Sequence, residues 1–213
     1  MTAPPVDSAD PGSEAKPTVL TDKGEDRVVL ESGETALIIG EGSIARYLVT
    51  EQLARLKLPN DAIGETEKIE GIIVLDSSGV VDRQRSEIIV DLSTLVSDEP
   101  RRDRYLARNV LESRKFPLAK LGVEELLGLT WPLPTNGSSN LKLSGLATIH
   151  GETEPLIWSV RTEFFDGIVT GLAQTEFRFG KFGMSIPSLA FIVSVEDKVR
   201  LQVEFTLEVT TAP

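Results

Sequence analysis

Between Leu143 and Leu207, apart from the irregular piece GKFGMSIPS, apolar residues fall on every second position, and the residues between them are polar almost throughout. Leu143, Gly145, Ala147 and Ile149 make one phase, and Leu156, Trp158, Val160 and Phe164 the next. Gly171, Ala173, Thr175, Phe177 and Phe179 follow, then Val199, Leu201, Val203, Phe205 and Leu207. Ser159, Arg161, Glu163, Gln174, Glu176, Arg178, Arg200, Gln202 and Glu204 occupy the opposite places. A period of two sends successive side chains to opposite faces of a strand, so each run has one dry face and one wet face. Turns at Gly151–Glu154 and Asp166-Gly167 separate the runs, which makes them antiparallel neighbours.

The same pattern, less cleanly, fills the first half. Arg27–Leu30 and Thr35–Ile39 are short strand candidates, and Ser43–Leu53 is a long one with Ala45, Tyr47 and Val49 on one face. Pro59-Asn60-Asp61 is expected to break it. Ile69–Leu75 keeps Ile69, Gly71, Ile73 and Leu75 in phase, turns at Asp76–Gly79, and pairs with Ser86–Leu95, where Ile88, Val90 and Leu92 alternate. The period then changes. Ser97 or Asp98 can cap a helix that starts near Glu99, with acids at its positive end and Pro100 where its missing donor costs nothing. Leu106 and Val110 share one face, and Arg101, Arg104 and Arg108 the opposite one. Phe116-Pro117 ends the helical excursion. A strand is expected at Leu118–Leu127, followed by an irregular loop, LTWPLPTNGSSN.

About eight strands in meander order with one inserted helix predict an all-β fold, an antiparallel sheet closed into a barrel, because closure removes exposed edges. Such a barrel is wide enough to be filled by side chains or to hold one elongated ligand. Gly71, Gly145, Ala147, Gly171, Ala173 and Thr175 leave volume that larger residues line without having to fill it. The pattern alone is equally consistent with a tapering solid core.

Composition narrows the function classes. Net charge is −11, with 33 acids against 22 Lys and Arg, which argues against nucleic acid as a partner. No run of apolar residues approaches the length that spans a bilayer. Cysteine is absent, so there is no disulfide, thiolate nucleophile or cysteine metal site. The single histidine, His150, reads as a strand-end side chain partly in water, with no orienting carboxylate evident. No phosphate-binding loop, zinc-protease helix motif or serine-nucleophile elbow occurs. Residues 1–25 combine Pro, Ala, Ser, Gly and acids, and read as a disordered linker without the charged and apolar regions of a signal peptide. Residues 26–213 form the domain. Trp131, in its proline-flanked loop, is expected to pack on the outside of the barrel.

Four blocks, in order, resemble the YceI-like, lipid- or polyisoprenoid-binding family. Arg102-Asp103, Leu106 and Phe116-Pro117 stand where that family has its arginine-aspartate pair, leucine and aromatic-proline ending. Gly145, Thr148-Ile149, Gly151, Thr153 and Pro155 match its turn motif, with Ala147 in place of a leucine and Glu152 in place of a valine. Phe182-Gly183-Met184 matches a third block, although Lys181 replaces a common aspartate. The terminal run VEDKVRLQVEFTLE is the fourth. The resemblance implies a lipocalin-like barrel with a long apolar tunnel around a polyisoprenoid or isoprenoid-quinone-type lipid. Members are frequently exported, which implies a periplasmic or cell-surface address, with the cytoplasm as the alternative.

On this reading the tunnel wall is built from Tyr47, Val49, Ile73, Val90 and Leu92, then Leu106, Val110 and Phe116 from the helical excursion. The later strands add Ala147, Ile149, Trp158, Val160, Phe177, Phe179, Phe182, Leu201, Val203 and Phe205. Arg102, beside the apolar stripe, is the head-group candidate, and Ala147 enlarges the interior. The expected function is a non-enzymatic lipid carrier, with no catalytic residue, metal or cofactor beyond the lipid. A homodimer and transient membrane contact are compatible with it. A solid-core interaction domain is the alternative. An isomerase or cyclase is a weaker one, because Tyr47 is the only ionisable group expected on the dry face.

Overall fold

The computed structural model describes residues 29–54, 58–190 and 192–212; the expected linker at 1–25 and the start of the Arg27–Leu30 strand candidate lie outside them. The elements run β1 (Thr35–Ile39), β2 (Ile44–Leu53), β3 (Asn60–Thr66), β4 (Ile69–Leu75), β5 (Glu87–Asp91), β6 (Val96–Ser97), α1 (Pro100–Asn109), β7 (Leu118–Leu127), β8 (Asn136–Ile149), β9 (Glu152–Phe165), β10 (Ile168–Phe177), β11 (Ile192–Val195) and β12 (Val199–Thr211).

Registers reduce these segments to the eight-stranded antiparallel barrel expected. Thr35↔Leu75 through Ile38↔Ile72 joins β1 to β4, and Ala45↔Thr66 through Glu51↔Asn60 joins β2 to β3. β1 with β2, and β3 with β4, are thus two long strands, each with a bend. β5 and β6 make a third, pairing with β4 and β3 in turn, and β11 with β12 a fourth. β7, β8, β9 and β10 follow as a meander. β12 bonds β10 on one side and both β2 and β1 on the other, which closes the ring.

Several boundaries differ from the sequence expectation. β2 ends at Leu53 as expected, but Asn60 opens a further strand, β3, that the sequence reading did not have. Its inward places are Ala62, Gly64 and Thr66, whose small size hides the alternation from a hydrophobicity reading. The β5 run stops at Asp91 instead of Leu95. The Asp91 carboxylate accepts from Ser93 N at 2.8 Å and Ser93 Oγ at 2.6 Å, which tightens Leu92–Thr94 into a 3-10 turn. β8 starts at Asn136, inside the expected loop, since its polar residues need only backbone partners on β9. Phe179 has left the strand for a 3-10 turn, Phe179–Phe182. Glu99, not Ser97 or Asp98, caps α1, accepting from Arg101 N at 3.0 Å. Arg101, Arg104 and Arg108 are exposed, as the helical pattern requires.

A small second core lies on the outer face of β1 and β4, where Leu30, Ala36, Val74 and Ala212 are buried together. Arg85 locks the segment that covers it. Its Nη2 lies 2.5 Å from Glu34 Oε1 and its Nη1 donates to Glu34 Oε2 at 2.9 Å, while Nε donates to Asp82 at 2.7 Å. The Arg85 hydrogen bond holds the Glu34 carboxyl below its ordinary 4.5, against burial, which raises it. A depressed folded pKa contributes stability above the ordinary carboxylate range that is lost as pH falls through the folded value. Glu34→Gln should therefore cost about 1–3 kcal/mol at pH 7. The gap from the parent protein should narrow as pH falls below the ordinary carboxylate range, as read by denaturant midpoints.

Candidate ligand cavity and its polar end

The inward faces enclose two apolar lobes that share one wall residue, Ala119. The larger, ≈ 930 Å³ with its mouth, lies toward the β4–β5 side; Ile73, Val90, Trp158, Val160, Val203 and Phe205 are on its wall. The smaller, ≈ 750 Å³ with its mouth, lies under α1; its wall includes Tyr47, Val49, Leu92, Leu106, Val110, Ile149, Phe177, Phe179 and Leu201. In place of the one tunnel expected from the sequence there are two lobes, with Ala119 on the wall of each.

Three expected wall residues are elsewhere. Ala147 is buried in the core on the predicted phase but lines neither lobe, because it sits between Ile149 on the smaller lobe and Leu143 on the larger. The volume it frees is therefore not on a cavity wall. Phe182 is fully buried behind the wall, edge-on to Phe177 at 4.8 Å. Phe116 packs instead against His150, 4.9 Å between ring centres, and lies so close to Gly151 that a Cβ there would come within 2.6 Å of it. Gly151, at φ +81, serves both that approach and the turn.

Other wall residues gave no sequence signal. Met184, Pro187 and Leu189, from the irregular segment before β11, and Ile192 and Val195, at the ends of β11, close the α1 lobe, and Leu129 and Leu133 reach the other lobe from the proline-rich loop. Neither the irregular segment nor the proline-rich loop has a periodicity to read. Trp131, from the same loop, packs over Gly79 and donates Nε1–H to Ser77 O at 3.0 Å, tying the loop to the β4–β5 turn.

The important miss is Glu51. It continues the Ala45, Tyr47, Val49 phase of β2, so its side chain enters the α1 lobe, only 3% exposed. Arg102, 4% exposed, meets it from α1, with Nη2 2.5 Å from Glu51 Oε1. Nη1 donates to Asp98 at 2.7 Å and Ser97 Oγ at 3.2 Å. Burial pulls the guanidinium pKa down, but the Asp98 and Glu51 carboxylates outweigh it and hold it above its ordinary value. The Tyr47 ring lies against Gly64 of β3, where any side chain would collide with it. Burial pushes the Tyr47 phenol up to about 12, so it stays protonated. The dry face therefore carries three ionisable groups where the alternation pattern promised one.

His150 does have a carboxylate neighbour. Its Nε2 lies 2.8 Å from Glu112 Oε2 and its Nδ1 3.2 Å from the Phe182 carbonyl. These contacts pin the segment after α1 to the β8–β9 turn, and the ring lines neither lobe.

A closed eight-stranded antiparallel barrel with an apolar interior and one helix is a lipocalin-like architecture. The YceI-like domain model matches residues 49–207, and the chain belongs to that family. A polyisoprenoid-binding domain from Saccharophagus degradans, implicated in plant cell wall breakdown, has the same fold. It superposes with a TM-score of 0.62 at 10% identity, covering 84% of this chain and 98% of that one. BcnA of Burkholderia cenocepacia gives 0.54 at 15% identity, over 79% and 96%. The YCEI protein of Campylobacter jejuni gives 0.53 at 13%, over 73% and 88%. No curated protein matches the chain.

Removing one member of a buried ion pair leaves the other uncompensated, whereas replacing both with apolar residues does not. Arg102→Leu should cost about 3–5 kcal/mol. Adding Glu51→Leu to it should recover most of that loss, as measured by the denaturant midpoints of the two single variants and the double.

Proposed function

We propose that this protein is a non-enzymatic carrier that takes a polyisoprenoid or another long apolar lipid chain into its barrel, isoprenoid-quinone-type lipids included. The observation that carries this reading is the pair of apolar lobes in the barrel interior, with Ala119 on the wall of each. Each buried CH₂ contributes about 0.8 kcal/mol, so a chain of a few prenyl units supplies enough to bind without any charged contact. A solid-core interaction domain has no use for two apolar lobes in its interior. The enzyme reading gains Glu51 and Arg102, but these hold each other, and Tyr47 keeps its proton to about 12, so no group on the wall is poised to move one. The name of the Saccharophagus domain supports the same ligand class, through shared fold.

Ile186 and Val193 are exposed apolar side chains in the segment that closes the α1 lobe, and they support transient contact with a membrane during loading. An address outside the cytoplasm goes with this reading. Its support is the family and the linker-like composition of residues 1–25.

Mass spectrometry of an organic extract of the protein, purified from its own source, should find a long prenyl or acyl lipid near one equivalent. An extract without any such lipid, from protein that also fails to take up added polyprenol, would remove the carrier reading.

A further inference from the structure

The strands around the larger lobe are hydrogen-bonded to one another in an unbroken ring, so a lipid chain must reach it past a connecting segment and not between strands. Three hairpin connections stand at the end of the barrel away from α1: β4–β5, β7–β8 and β9–β10. The first is held by Arg85, through Glu34 and Asp82, and by the Leu75↔Val81 bridge. The third is the two-residue turn Asp166-Gly167, which has no slack. The β7–β8 connection, residues 128–135, is different. Gly128 opens it at φ +87, and Gly137, just inside β8, follows it at φ +112, backbone conformations that only glycine takes without strain. Pro132 and Pro134 bring no N–H with which to anchor it.

Within this connection the side chains divide between plug and latch. Leu129 and Leu133 are on the wall of the larger lobe, where they face a void instead of a packed core. Trp131, between them, turns to the β4–β5 connection: its ring lies so close to Gly79 that a Cβ there would come within 2.6 Å, and its Nε1–H donates to Ser77 O at 3.0 Å. At the other end Asp166 N donates to Thr135 O at 3.1 Å. The segment therefore crosses the end of the lobe from one neighbouring turn to the other, tied to each and hinged at glycines, which is the build of a lid. We infer that residues 128–137 form a lid on the larger lobe, latched by Trp131, and that lipid chains enter and leave that lobe beneath it. The lid stands at the opposite end from Ile186 and Val193, so it gives the larger lobe an entrance of its own. This inference rests on the carrier reading above and adds the route its cargo takes.

The test compares the full-length parent protein, Trp131→Ala and a Gly79→Cys/Trp131→Cys pair, with phylloquinone as the prenylated probe and quenching of Trp158, on the wall of the larger lobe, as the readout. The chain has no cysteine of its own, and the closeness of position 79 to the Trp131 side chain puts the new pair within disulfide reach. In Trp131→Ala, uptake and release should both quicken about tenfold, the worth of a hydrogen bond at the upper end of its range, while the dissociation constant moves much less. Oxidising the pair should slow both rates and a reductant should restore them, a reversal that a merely structural role of the loop would not give. Rates in Trp131→Ala equal to those of the parent overturn the lid and leave the carrier intact. Equal rates with the pair oxidised and reduced do the same. Should the strain of a side chain at φ +84 keep the pair from folding, Trp131→Ala decides alone. No uptake of phylloquinone by the parent protein overturns the carrier reading, and the lid with it.

Discussion

β12 hydrogen-bonds β1 along Leu207–Thr211 and β2 along Arg200–Glu204, and this pairing leaves the main ring of strands without an open edge. With the ring closed, every inward position between β1 and β12 faces other inward positions across the barrel, and water is kept from them. The lobes exist because eight strands enclose more space than their inward side chains fill. Closure also explains the bends. A barrel strand must curve, and the breaks at Gly40–Ser43, Glu67-Lys68 and Leu92–Thr94 let three long strands turn without abandoning their partners.

Apolar packing alone does not fix α1 over the end of the barrel. Leu106 and Val110 give the helix its dry stripe, but such a stripe is non-directional. The buried Arg102–Glu51 bond is directional, and it ties the helix to β2 at one place. Buried ion pairs contribute little net stability against apolar replacements, so its value here lies in position and in the charge it sets at the lobe wall. His150, between Glu112 and the Phe182 carbonyl, performs a comparable pinning role outside the cavity.

The fold was legible because strand period and turn residues are local signals. β4 and β7 have the bounds read from the sequence, and the inward phases of β8, β9 and β12 are as expected. β3 was not legible, since Ala62 and Gly64 carry its inward phase without bulk. Most of the wall residues follow from phase alone, but Ala147 shows the limit: phase says that a side chain points inward, not whether a void lies in front of it. Glu51 was in the readable phase and still went unread, because an acid in a strand is taken for a wet-face residue until a buried partner is seen. Arg102 is that partner, 51 positions away in sequence, and only the fold brings the two together.

Trp158 stands on the wall of the larger lobe, while Trp131 is held outside in its loop, so emission from the first can be isolated in a Trp131→Phe variant. Titration of that variant with a long-chain prenylquinone tests the central claim, that the interior is a ligand site. Saturable quenching of Trp158 at one equivalent is the predicted result. Emission that stays unchanged, or falls in proportion to added quinone without saturation, would contradict it.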